Sequence, residues 1–278
     1  MASRVATTFA TAAENLAHVD AAIDTARVIQ ALDGAHVWVA RRDGAIVGHL
    51  TASLVPRGSR TEAWISPDAW SCDDVDDLAT LYAGAAPEWL ADGVRDHVAW
   101  SFDVPDWTEA WAELGFAREL RRGARAAPLS PVEAPAGYRL RRARWDPEEA
   151  ARLSALVDEA EESAPVFRPP ADDDDDTEAP GHWYVAESRG RVVAQCLAIE
   201  YPRTLGIPPG TVHLSALAVA APHRRRGLAR SLVAYAARRE HAAVLDATWR
   251  TANRPAHRFW VEAGFVPVAV GLRRRIPA

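Results

Sequence analysis

The chain contains no lysine: all 32 of its basic residues are arginines. That excludes pyridoxal phosphate chemistry, which needs a side-chain amine for its Schiff base, and it excludes acylation of the protein's own side-chain amines. Cysteine is almost as scarce. Cys72 and Cys196 lie far apart and neither sits in a C-x-x-C pair, so neither a disulfide framework nor a four-ligand zinc site can be built from them. Both are expected to be reduced, with Cys196 in a strand core. The nine histidines include no H-E-x-x-H spacing, and no metal is expected. No run approaches the roughly 20 apolar residues that span a bilayer. The N-terminus lacks a basic segment followed by an apolar signal core. The expectation is a cytoplasmic protein without a membrane partner.

What is present is an ordinary globular composition, 49% hydrophobic and 25% charged, over 278 residues. That length suits two domains of about 100 to 150 residues each. The net charge of -6 argues against a nucleic-acid partner. The local clusters Arg224 to Arg226 and Arg273 to Arg275 point instead to one small polyanion.

An internal repeat supports two domains. HVWVARRDGAIVGHLTASLV from His36 overlays HWYVAESRGRVVAQCLAIEY from His182, each a strand, a glycine turn (Gly44 or Gly190) and a second strand. This is a β-hairpin pattern. Trp111 to Phe116 (WAELGF) pairs with Trp260 to Phe265 (WVEAGF) at nearly the same offset. The expected division is residues 1–125 and 138–278. The Pro- and Ala-rich stretch 126–137, which has no apolar periodicity, is the linker. In the second unit, Asp146, Pro147 and Glu149 carry the start signals of a helix. Strands are expected at 138–144, near 182–186, at 192–200, 212–219, 244–251 and 266–275, with further helices from Gly227 and over 255–263. Seven tryptophans of the first half, Trp38, Trp64, Trp70, Trp89, Trp100, Trp107 and Trp111, read as core, with a domain interface or a cleft wall as alternatives.

The most informative stretch is HLSALAVAAPHRRRG, His213 to Gly227, running into LARSLVAYAARRE. An apolar strand, an arginine-rich turn and a glycine opening an amphipathic helix make an anion site. The unpaired N–H groups of the first helical turn and the helix dipole both face the turn. Gly227 and Ala229 leave room for a diphosphate to reach the main chain.

Arg224-x-x-Gly227-x-Ala229 after a Leu-x-Val strand resembles the pyrophosphate loop of the GNAT superfamily of N-acyltransferases. Asn253, Ala256 and Trp260 to Phe265 match a second motif of that family, except that Trp260 replaces its usual tyrosine. The resemblance implies an α/β fold of two tandem GNAT-like domains, each a mostly antiparallel sheet with a splayed central strand pair flanked by helices. It implies acetyl-CoA as acyl donor and direct attack by an amine. Leu217, Ala218 and Val219 would offer main-chain hydrogen bonds to pantetheine and the acyl carbonyl. Arg224, Arg225, Arg226, Gly227, Leu228, Ala229 and Arg230 would hold the diphosphate, and Asn253 would serve either the pantetheine arm or a turn.

The attacking amine needs a proton acceptor, and His213, eleven residues before Arg224, lies where some family members place a catalytic carboxylate. A histidine suits proton transfer at neutral pH, although a satisfied histidine at a strand end is the alternative. Ser215 on the same strand face would hold a water, and Glu200 is the second candidate base. Trp260 cannot protonate a departing thiolate, but a thiol of pKa near 8.5 leaves with little help. The first copy has WSCDDVDDL, Trp70 to Leu78, where the basic loop should be. Four aspartates would repel a diphosphate, so this copy is expected to be degenerate and structural. The run Asp172 to Asp176 with Glu178, after Pro169 and Pro170, is either a solvated loop or an attractor for a cationic amine acceptor. An acyl-CoA sensor without turnover is the alternative function, and monomer and homodimer both stay open.

Overall fold

Both expected hairpins form, and both close through two consecutive left-handed residues. The computed structural model describes residues 1–22, 28, 35–127, 133–144, 147–162, 181–200 and 206–277. The first half runs α1 (Ala2–Asn15), β1 (Val37–Arg42), β2 (Ala45–Thr51), β3 (Ser53–Arg57), β4 (Arg60–Ile65), β5 (Trp70–Cys72), α2 (Val75–Ala91), β6 (Asp96–Phe102), α3 (Pro105–Glu113) and β7 (Ala117–Ala126). The second runs β8 (Arg139–Arg142), α4 (Pro147–Glu162), β9 (His182–Ser188), β10 (Arg191–Glu200), β11 (Thr211–Val219), α5 (Leu228–Arg239), β12 (Val244–Arg250), α6 (Arg254–Glu262) and β13 (Val266–Arg275). The hairpin turns are Asp43-Gly44 (φ 50° and 80°) and Arg189-Gly190 (φ 51° and 76°), the geometry that matches strand twist in two-residue hairpins. The α4 helix starts at Pro147 as expected, and Glu149 reaches back to the Arg144 N–H at 3.3 Å while gripping the Arg141 guanidinium at 2.9 and 3.0 Å. Asp146 lies outside the described residues.

Strand order departs from a simple division of the chain at 126–137. One sheet runs β3-β4-β6-β13-β7-β12-β11-β10-β9-β8, beside a three-stranded sheet β1-β2-β5. The last strand of each half therefore pairs into the other half: β7 lies against β12 and β13 against β6, all antiparallel. Packing follows the exchange. Val270 and Leu272 of β13 are buried in the first core, among Leu78, Leu81 and Tyr82 of α2 and Trp111 of α3. Trp70, Trp89 and Trp111 are in that core, with Trp38 and Trp107 against it, and Trp70 meets Trp111 edge-on at 5.5 Å. The second core joins Leu228, Leu232, Val233 and Ala236 of α5 to Val212, Leu214, Leu245 and Ala247 of the sheet. Cys196 is fully buried there, and burial pushes its thiol up to about 12.

Each exchanged strand is held by a buried charge network of the same design. In the second half, Asp246 of β12 is fully buried, pairs with Arg122 of the exchanged β7, and lies 2.8 Å from His213 Nδ1 on β11. In the first half, Arg273 of the exchanged β13 reaches Glu62 at 2.7 Å, Glu119 at 2.8 Å and Asp96 at 3.4 Å, and Arg275 reaches Asp96 at 2.8 Å. The register matches, since His213 stands beside Asp246 in the parallel β11/β12 pair as Glu62 stands beside Asp96 in β4/β6. Burial disfavours the Arg273 cation, but Glu119 and Glu62 more than offset this and its pKa rises.

Two stability measurements follow. Asp246→Ala leaves the Arg122 charge without its buried carboxylate, which should cost about 3–5 kcal/mol. Urea unfolding should still show one transition, because each half is completed by a strand of the other. Two resolved transitions, or a loss under about 1 kcal/mol, would contradict the latch. Gln195 on β10 is fully buried, and neither its Oε1 nor its Nε2 has a hydrogen-bond partner among the described residues. Gln195→Met keeps the unbranched shape and removes that unmet polarity, so the urea midpoint should rise, by about 1–3 kcal/mol in stability. An unchanged or lowered midpoint would mean that the amide is satisfied.

Candidate active site

The site begins where two neighbouring strands part. β11 pairs in parallel with β12 only from Thr211 to Leu214, opposite Val244 to Ala247, although β12 continues to Arg250 beside β7. A bulge causes the parting. Ala216 is left-handed (φ 47°), and the β10/β11 register slips so that Leu197 faces Ser215 while Gln195 faces Ala218. Ala216 and Leu217 thus stand against Cys196 alone, which bends the strand as β-bulges do. Beyond the bulge, the edge of Ser215 to Val219 that faces β12 has no ladder partner among the described strands. Leu217 and Val219 lean on the second core, and Ala218 is buried on the opposite side.

The strand then enters a 3₁₀ turn, Ala221–His223, and reaches α5 through Arg224 to Gly227. Gly227 is the N-cap, left-handed at φ 83°, and supplies no side-chain cap; Arg225 is also left-handed at φ 62°. Left-handed residues in such a turn gather main-chain N–H groups into an anion-binding concavity. The first helical bond from the cap is Ser231 N–H to the Gly227 carbonyl at 3.0 Å. The preceding N–H groups, of Leu228, Ala229 and Arg230, belong to the turn that lacks intrahelical acceptors. Leu228 is buried as a core anchor and Ala229 half-buried, whereas Arg225, Arg226, Gly227 and Arg230 are exposed. Arg224 braces the turn instead, since its Nε donates to the Val219 carbonyl at 2.8 Å and its guanidinium meets Glu159 of α4 at 3.4 Å.

His213 and Ser215 lie together on the sheet face opposite α5, the side on which α4 packs. His213 is 8% exposed and tied to Asp246, Ser215 half-buried. Glu200 does not join them. It is exposed at the end of β10 opposite Val212, whose side chain is in the α5 core, so strand alternation turns Glu200 to the other face. Asn253 serves the turn: its Oδ1 accepts from the Ala256 N–H at 3.0 Å as the N-cap of α6. Trp260 is 4% exposed, stacked on Trp249 at 6.3 Å and edge-on to Phe265 at 4.7 Å. It is core, and no acid stands in its place.

Three further residues shape the site. Gln195, opposite Ala218 and on the α4 side, is the lone strongly polar residue of the run VVAQCLAI, a signal legible without coordinates. Arg122 carries no such signal, because only the strand exchange brings it to Asp246. Tyr138, whose hydroxyl lies 2.9 Å from His223 Nδ1, likewise emerges only in three dimensions.

The corresponding place in the first half is chemically closed. Asp74 caps α2 by accepting from the Asp76 N–H at 3.1 Å, Asp76 and Asp77 fill the first turn, and Asp73 pairs with Arg4 and Asp77 with Arg42. Cys72 there is pushed up to about 12 by burial and by the neighbouring aspartates. His49, 2.9 Å from Ser71, is fully buried, and burial drives its pKa down to about 4. The acidic run Asp172 to Asp176 with Glu178, and Pro169 and Pro170, lie outside the described residues.

Comparison with known proteins agrees with this geometry. Residues 139–265 match the acetyltransferase (GNAT) family. A GCN5-related N-acetyltransferase from Sphaerobacter thermophilus aligns over 100% of this chain and 92% of its own, with a TM-score of 0.65 at 18% identity. A tandem GNAT protein from the clavulanic acid biosynthesis pathway aligns over 100% and 95%, with a TM-score of 0.60 at 18% identity. A GCN5-related N-acetyltransferase from Kribbella flavida aligns over 100% and 96%, with a TM-score of 0.57 at 17% identity. No curated protein sequence matches the chain. None of the described helices is long and apolar enough to cross a membrane. Residues 139–265 thus match the acetyltransferase (GNAT) family, and over its whole length the chain shares the fold of a tandem GNAT protein.

Proposed function

We propose that the protein is an N-acetyltransferase that moves an acetyl group from acetyl-CoA to a primary amine, at a single site in the second half. The observation that carries this is the α5 N-terminus. It has a left-handed glycine cap with no side-chain cap bond, flanked by exposed Arg225 and Arg226, at the end of a bulged strand that has left its neighbour. The residues fit the donor: the N–H groups of Leu228, Ala229 and Arg230 would hold a diphosphate, and the unpaired strand edge at Leu217 to Val219 would receive an amide-bearing pantetheine arm. Acetyl-CoA supplies the acyl group as an activated thioester. In the first half, the aspartate cap and the acidic first turn of α2 argue against a second donor site.

His213 is the proton acceptor in this proposal. Asp246 fixes its ring as the carboxylate does in a catalytic triad, and Ser215 offers a hydroxyl on the same face to a bridging water. The amine enters from the α4 side, where these two residues lie. A thiolate of pKa near 8.5 departs without an acid, consistent with Trp260 being core. An acceptor of cationic character would suit the acidic sequence 172–176. Trp260, which offers no acid for a departing thiolate, favours a second reading, an acyl-CoA sensor without turnover. Release of free thiol in the presence of an amine separates the two.

Isothermal titration with acetyl-CoA should give one site per wild-type chain and no detectable binding to Gly227→Glu. That variant puts a carboxylate at the cradle and, at φ 83°, strains the backbone by about 1–2 kcal/mol, so its fold is checked by its melting curve. Absence of wild-type binding would end both readings. For the base, His213→Gln retains a hydrogen-bonding group toward Asp246. It should lower kcat about 10²- to 10⁴-fold while acetyl-CoA affinity holds, and an unchanged kcat would remove His213 from the chemistry.

A further inference from the structure

The loop that would hold the diphosphate is strained, and much of what fixes it comes from the linker between the halves. Arg225 at φ 62° carries the penalty of a left-handed non-glycine residue, a conformation that persists only where its surroundings over-determine it. On one side Arg224 is anchored to the Val219 carbonyl and to Glu159. On the other lies the chain that has just left β7. The Glu133 carbonyl accepts from the hydroxyl of fully buried Ser231 at 3.1 Å. Pro135 stands against Gly227, its Cγ 3.9 Å from where a Cβ would be. The Pro135 carbonyl accepts from the Tyr138 N–H at 3.1 Å, closing a turn through left-handed Gly137 (φ 83°). That turn delivers Tyr138 edge-on to His223, with ring centroids 5.7 Å apart and the hydroxyl 2.9 Å from Nδ1.

The loop from His223 to Ser231 is thus gripped at its start, its glycine and its first helical turn by one short segment. Residues 133–137 are exposed or half-buried, so little of their role is core burial, and the Glu133 carbonyl and the Tyr138 hydroxyl both reach the loop. We infer that residues 133–138, the end of the linker and the first residue of the second unit, are a working part of the acyl-donor site. They hold the main-chain N–H groups of the loop in the geometry that receives a diphosphate, with Tyr138 as the positioning residue. The inference rests on the acetyl-CoA reading. It extends the strand exchange: besides β7, which pairs with β12, Glu133 and Pro135 from before the second half contact the loop at Ser231 and Gly227, so that half's site draws on chain outside it.

The test compares two donors on the full-length protein by titration calorimetry: acetyl-CoA, and S-acetylpantetheine, which lacks the diphosphate. Tyr138→Phe keeps the ring and removes the hydrogen bond to His223, and Ser231→Ala releases Glu133 together with the Gly227 carbonyl that the same hydroxyl reaches at 3.2 Å. Each should weaken acetyl-CoA binding roughly three- to tenfold with the melting temperature held, while S-acetylpantetheine binding stays as in the wild type. Unchanged acetyl-CoA affinity in both variants, or equal weakening of both donors, would overturn the linker's role while leaving the acetyl-CoA reading intact. Failure of the wild type to bind acetyl-CoA would sink that reading and this inference together.

Discussion

Everything in this fold hangs on two aspartates, Asp246 and Asp96, each met by arginine from a strand that belongs to the other half of the chain. Buried carboxylates are tolerated only when paired, and here the partner of each arrives through the exchange of β7 and β13. Apolar packing alone would permit several registers for two adjacent strands. A buried ion pair narrows them, because a one-residue slip turns every side chain to the opposite face and would leave both charges unmatched. The pseudo-equivalence of His213 beside Asp246 and Glu62 beside Asp96 shows one device used twice, with a histidine on one side and a carboxylate on the other.

The two halves differ instead at the turn that opens the helix after their central strands. In the second half the chain leaves β11 by a bulge and a basic turn, and α5 starts on a glycine that offers no cap. In the first, an aspartate satisfies the helix start and two more fill its first turn. The same fold therefore presents a glycine-capped, arginine-flanked helix end in one half and a self-neutralised helix end in the other. The scaffold is common to both halves, and the residues of the turn set the charge at each helix end. Fully buried Gln195, whose amide has no hydrogen-bond partner among the described residues, is the clearest departure from apolar packing on the sheet face opposite α5.

Several elements are legible without any coordinates, for local reasons. Both hairpins, the helix beginning after Gly227 and the closing strand 266–275 follow from alternation, turn residues and caps, which act over a few positions. The splay is expected only through the resemblance. Its immediate cause, the left-handed Ala216, is invisible in a run reading LSALAV. Glu200 illustrates the limit: in sequence it ends the strand before His213, yet the register places it on the opposite face. The sequence leaves Asn253 open between two roles, and the bond from Ala256 shows it capping α6.

By itself the sequence determined the two hairpins and the main elements of the second half, the duplicated pattern, and the basic glycine turn with its acidic counterpart. These depend on side-chain type and spacing along the chain. Only the tertiary structure decided which half each closing strand completes, which arginine answers which buried aspartate, and that the linker lies on the anion loop. The arginine–carboxylate pairings join residues more than a hundred positions apart, such as Arg122 with Asp246 and Glu62 with Arg273. The free energy that selects them comes from burying charge against its partner, a quantity that exists only once the chain has closed on itself.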